Sequence, residues 1–141
     1  MLTALSVRRL RVFQRTAFDL EAVHREMQEE GFGMFATAQH LTNELQGYDL
    51  SEPGGPPLEF DARHGLGTFE DIKGWSTATG VELCPLGTWS QFTLFVGSDE
   101  ELYLTDFAVV VRAAGGLATA LEELVLFGTV SSSEVVPPAL P

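Results

Sequence analysis

From Gly80 to Gly128 the chain alternates and turns in a way that admits few folds. Phe92-Thr-Leu-Phe-Val-Gly97 alternates as a strand does, Ser98-Asp-Glu-Glu101 breaks it with an acidic turn, and Leu102-Tyr-Leu-Thr-Asp106 resumes it. Two alternating runs joined by a short polar segment predict a β-hairpin. Beyond it, Leu117, Ala120, Leu121, Leu124 and Val125 recur at helical spacing, and Gly128 supplies a stop. A hairpin must bury one face, and a terminal helix with a broad apolar stripe can cover it. Between the two stands Phe107-Ala-Val-Val-Val111, a β-branched run that predicts a further strand.

Upstream, Asp19 is placed as an N-cap, Glu21 sits in the first turn, and Leu20, Val23 and Met27 share one face. The pattern predicts a helix over 20–30, stopped by Gly31. Ala38, Leu41 and Leu45 predict a second helix over 36–46. Tyr48-Asp-Leu50 and the alternating stretch 58–62 read as strands, separated by a loop over 51–57 with two Gly and three Pro. Phe69, Ile72, Trp75 and Ala78 predict a helix over 68–79 that ends at Gly80. Pro85-Leu-Gly87 reads as a turn. Helices at the start, strands in the middle and a closing helix predict an α+β fold. Its antiparallel or mixed sheet should have about four to six strands, packed with an N-terminal helix pair and a C-terminal helix.

The 141 residues fit one domain, able to bury roughly two-thirds of the surface its unfolded form exposes. We expect the domain to span 18–128. Residues 1–17 form a basic lead-in that could be a strand, a frayed helix or a disordered arm. Residues 129–141, with Pro137, Pro138 and Pro141, read as a disordered tail.

Charge is the strongest functional signal. Eight Lys and Arg face twenty Asp and Glu, for a net charge of −12. The imbalance is uneven: residues 1–25 carry five Arg against two acids, and residues 26–141 carry three basic residues against eighteen acids. Such a body repels phosphate backbones and anionic lipid, so neither nucleic acid nor membrane is an expected partner. A basic protein surface is favoured, because complementary charge steers encounter. Negative charge also serves solubility alone. One cysteine, Cys84, forbids an internal disulfide and suits a reducing cytoplasm. No apolar segment follows Arg8 and Arg9 to complete a secretion signal, and no window is long enough to span a membrane.

The chemistry-bearing residues are scattered. His24, His40 and His64 never fall at metal-ligand spacing, and Cys84 has no Cys or His neighbour. Between Leu83 and Pro85 its thiol should stay protonated. No nucleophile elbow occurs. Glu70/Asp71, Asp99/Glu100/Glu101 and Glu122/Glu123 are adjacent acids, which point apart or into water and do not make a general acid–base pair. Gly31-Phe-Gly33 and Gly65-Leu-Gly67 lack the third glycine and the lysine of phosphate loops. We therefore expect no metal, no cofactor and no catalytic residue. Trp75 and Trp89 read as core, although Trp89, beside a turn, could face a partner.

Residues 75–128 resemble the SUKH superfamily of bacterial immunity proteins, most closely its third subgroup. The likeness rests on Trp75, Gly80, Leu83-Cys-Pro-Leu-Gly87, the hairpin strands with Leu102-Tyr103, Ala120-Leu121-Glu-Glu-Leu124 and Gly128. Gly31, Leu41 and Phe60-Asp61 extend it to about 18–128. The chain departs from the subgroup at Leu45-Gln-Gly-Tyr48 and at Glu100-Glu-Leu-Tyr103. The resemblance implies a non-enzymatic, cytoplasmic protein that neutralises a toxin domain, often a nuclease or deaminase, by covering its working surface. Alternatively it implies a regulatory scaffold or adaptor, as some eukaryotic relatives are. Candidate partner-binding residues are the hairpin tip Asp99, Glu100 and Glu101, Glu52 in the flexible loop, and Trp89. A carboxylate enzyme is the third reading, and it would need two acids facing each other across a cleft.

Overall fold

The structure is a computed structural model that describes residues 14–51, 54–131 and 133–140. In chain order its elements are β1 (Gln14–Arg15), α1 (Leu20–Glu30), α2 (Ala36–Leu45), β2 (Tyr48–Asp49) and β3 (Leu58–Glu59). A 3-10 helix (Ala62–Gly65), α3 (Phe69–Thr79), β4 (Leu83–Trp89), β5 (Phe92–Gly97), β6 (Leu102–Thr105), β7 (Val110–Ala113), α4 (Gly116–Phe127) and β8 (Ser133–Val135) follow.

The helices begin and end where their capping chemistry dictates. Asp19 Oδ1 accepts from the amides of Glu21 and Ala22 to start α1. Gly31, at φ 125°, adopts a backbone that a side chain would strain, and its amide closes onto Gln28 and Met27. α3 has no cap from its own Thr68. Glu30 supplies the cap instead, its two oxygens accepting from the first helical amide, Phe69, at 3.0 Å and from Gly67, just before the cap, at 2.6 Å. A carboxylate there also suits the positive end of the helix dipole.

All strands pair antiparallel with their sequence neighbours, giving one sheet in the order β1 to β8. Successive side chains in a strand point to opposite faces. Unbroken burial of residues 83–87 in β4, 93–97 in β5 and 102–105 in β6 therefore means that both faces of the sheet centre are covered. Phe95 and Tyr103 are register partners on one face, where Phe95 meets Phe32 and Tyr103 meets Trp75 of α3 edge-on at 5.3 Å. Trp75 is 1% exposed, as its place on an apolar stripe predicts. α4 buries Ala120, Leu121, Leu124 and Val125. Each large apolar side chain so buried contributes about 1.5–3 kcal/mol.

The α+β class is as expected, and the sheet is wider than expected. Its eight strands exceed the predicted four to six: β4 runs through the stretch read as a turn, β8 lies in the expected tail, and β1, in the lead-in, has only two residues. Alternation cannot be read over so short a span. The stretch 58–62 accordingly splits, with Asp61 turning the chain into the 3-10 helix by accepting from the Arg63 amide at 3.0 Å.

Three local readings change. Pro85 does not turn the chain: β4 runs straight through it, with a register shift between Pro85 and Gly87. A bulge is where a strand tolerates a residue without an N–H. Gly87 sits so close to the main chain at Glu59 and Phe60 that a Cβ would collide with it. Phe107 lies at φ 69° in a turn built on Asp106, so β7 starts only at Val110. The segment 129–141, expected to be disordered, instead carries β8 on the edge of β7. Val136 N donates to Val110 O at 2.8 Å, and the Trp75 indole donates to Val136 O at 2.9 Å. Its prolines follow the strand and so hide it from a composition argument.

The basic lead-in is likewise tied down at its end. Arg15 donates to the carbonyls of Gln46 and Asn43, and its guanidinium lies 4.5 Å from the Tyr48 ring centre. Residues 1–13 lie outside the described residues.

Candidate protein-binding face

The acidic turn between β5 and β6 is braced from three sides. Gly97 N donates to Glu101 O at 2.9 Å and Glu100 N to Gly97 O at 3.0 Å, which closes the turn. Asp99 Oδ1 accepts from the Glu101 amide at 3.3 Å, and Asp99 Oδ2 accepts from the Tyr103 hydroxyl at 2.6 Å. Burial, then the Asp99 hydrogen bond, pushes the Tyr103 hydroxyl above its ordinary pKa and keeps it a donor. Glu100 sits at φ 61°, and its carboxylate accepts from Thr37 on α2 at 3.3 Å. Few non-glycine residues hold that backbone without support from their surroundings.

Glu82, just before β4, joins this corner. Ser98 N donates to Glu82 O at 2.8 Å, and Glu82 N donates to Ser98 Oγ at 3.0 Å. The Glu82 carboxylate lies against Gly33, where a Cβ would come within 2.7 Å of Oε2. Among the described residues, neither Glu82 nor Asp99, Glu100 or Glu101 has a salt bridge. Elsewhere the acids are partly compensated, Arg63 lying by Glu26 and Asp61 and His64 by Glu59, while Arg112, which pairs with Glu134 across β7 and β8, also stands beside the Tyr103 hydroxyl that holds Asp99.

A groove of about 400 Å³ opens beside this corner. Buried Ile72 and Leu83 and half-buried Phe69 form its floor, while Lys73, Thr77 and Glu82 form its exposed rim. Phe32 stands edge-on behind Phe69 at 5.3 Å and keeps that ring in place. The groove and the corner meet at Glu82.

The other candidates fall elsewhere. Trp89 is half-buried, stacks on Phe92 at 6.1 Å, and donates its indole N–H to Gly128 O at 2.9 Å. It therefore clamps the end of α4. It pairs with Phe92 at the far end of β5 from Gly97, about 17 Å from the tip at the strand rise per residue. Glu52 lies outside the described residues. The sequence alone does not show Glu82 and Thr37, which only the fold brings to the tip. The alternation of β5 and β6 places the turn, and nothing local marks its partners.

The remaining reactive groups sit apart. Burial pushes the Cys84 thiol up to about 12, and its Sγ lies 3.4 Å from Met34 Sδ. Burial lowers the His24 pKa. Among the described residues no three His, Cys, Asp or Glu gather to hold a metal ion. A second cleft, of about 170 Å³, is lined by Asp49, Glu59 and Asp61. There Asp61 Oδ1 is already engaged by the Gln46 side chain at 2.8 Å and the Arg63 amide. No helix among the described residues is long and apolar enough to cross a membrane.

The chain matches no protein-family model, no curated protein and no solved structure.

Proposed function

We propose that this protein is a non-enzymatic immunity protein, SUKH-like and acting in the cytoplasm. It binds a toxin domain with a basic surface, a nuclease or deaminase, and neutralises it by occlusion. The observation that carries the reading is the acidic corner of Glu82, Asp99, Glu100 and Glu101, none of them salt-bridged among the described residues and held by Tyr103, Ser98 and Thr37. A nuclease must present cations to phosphate, and a fixed acidic surface can occupy those same cations without paying to order itself on binding. The net charge of −12 supplies long-range steering to the same end. The resemblance of residues 75–128 to the superfamily supplies the toxin as the partner class. An interface of standard size, about 1,600 Å² in total, would reach from the corner across the neighbouring groove.

The test is co-purification of the tagged protein with the product of the adjacent gene, beside a growth-rescue assay in cells expressing that product. A salt-sensitive complex that restores growth supports the reading. A complex with a resident cellular protein, and no rescue, replaces it with the adaptor.

A further inference from the structure

We infer that the groove along α3 is a docking site for an extended segment of a basic protein partner, one apolar side chain flanked by Arg or Lys. The inference rests on the proposed partner class and adds where and how that partner is held. Its shape argues for a chain segment. Phe69, Ile72, Lys73, Ser76, Thr77 and Gly80 follow one another along a single face of α3 and its cap, about 17 Å at the rise of a helix. A cleft that long and open suits an extended strand of partner, and its volume of about 400 Å³ admits a Leu or Phe side chain with its backbone.

Charge decides the occupant. The mouth of the groove nearest the hairpin carries Glu82, whose backbone is locked to Ser98 and so to the tip with Asp99 and Glu100. None of these acids has a salt bridge among the described residues. A basic residue flanking the apolar anchor would meet Glu82 directly, and the next would reach Asp99 or Glu100. Lys73, also on the rim, repels a cation, so the basic residues lie on the Glu82 side of the anchor. An apolar floor with a polar, solvent-exposed rim is the arrangement of protein interfaces. A nucleic acid would instead face three acids.

The test titrates the full-length protein with a synthetic peptide carrying a Phe with two consecutive Arg on one side of it, followed by amide proton–nitrogen spectra. The same peptide with Glu in place of Arg is the comparison. The inference predicts shifts concentrated at Gly31, Gly33, Thr77 and Gly80 with the Arg peptide alone. It predicts at least about tenfold weaker binding by Glu82→Lys, and by Thr77→Trp, which fills the groove from an exposed helix position. Ala118→Trp, at an exposed position on α4, should bind as wild type. Equal binding of the Glu peptide, shifts elsewhere, or no shifts at millimolar peptide overturns the groove assignment. Run in parallel, growth rescue separates the two claims. Rescue by wild type and equally by Thr77→Trp and Glu82→Lys overturns the groove and leaves the immunity reading intact. Failure of wild type to rescue overturns that reading, while the peptide titration still decides the groove.

Discussion

The Tyr103 hydroxyl donates to the Asp99 carboxylate at 2.6 Å, so a residue of the buried sheet holds the exposed hairpin turn in one geometry. Behind it, Trp75 packs edge-on against the Tyr103 ring. Core packing thereby sets where the acidic charge stands. Tyr103→Phe keeps the ring and loses the bond. It should cost about 1 kcal/mol in a thermal melt and slow association with the partner, because a loosened tip must be ordered on binding. A variant with wild-type melting and wild-type association would remove the tip's rigidity from the account.

Glu100 holds a left-handed backbone at φ 61°, which glycine adopts without strain. Glu100→Gly should raise stability by up to about 1 kcal/mol and at the same time slow partner association. Opposite signs in the two measurements are the signature of strain kept for function. A loss of stability on this change would show the Thr37 contact to matter more than the strain.

Glu30 caps α3 from another helix, through Gly67 and Phe69. Glu30→Ala leaves those amides without their acceptor and should cost about 1–2 kcal/mol in a urea titration. Glu30→Gln, which keeps an acceptor and loses the charge, should recover part of that. Equal midpoints for wild type and Glu30→Ala would contradict the cap.

Cys84 makes the fold sensitive to alkali. Its folded pKa, about 12, lies above the ordinary value of 9.0, so the unfolded chain loses this proton first. The stability it supplies is complete below pH 9 and is lost as pH rises toward the folded value, by about 1.4 kcal/mol per unit. Tyr103, raised for the same reason, adds a loss above about pH 10. Cys84→Ala should be less stable than wild type at neutral pH, since it opens a cavity, yet show a shallower fall between about pH 9 and 11. Parallel melting curves for the two proteins across that range would refute this.

Much of the fold can be read from the chain, and the limits have physical causes. Asp19, Gly31, Gly80 and Gly128 bound helices through local chemistry, so α1, α3 and α4 are legible close to their true ends. Pro85 misleads because a lone proline reads as a turn, while the bulge that admits it depends on the partner strand β5. β8 is invisible because all three of its residues are exposed and no alternation marks it. What holds it is β7 and the Trp75 indole, far upstream in the chain. The candidate site divides the same way. The acids of the tip stand together in sequence, while Glu82, Thr37 and the groove reach them only through the sheet and the helix packing. Trp89, grouped with the tip by residue type, belongs to the other end of β5 and clamps α4.

The central claim is that the fixed acidic corner steers and holds a basic partner. The most direct measurement is the association rate with the product of the adjacent gene across a range of ionic strength, for wild type and for Glu82→Lys/Glu100→Lys. The account predicts fast association at low salt that falls steeply as salt rises, with the double variant slower and its salt dependence flattened. An association rate at low salt that the double variant leaves unchanged would contradict it.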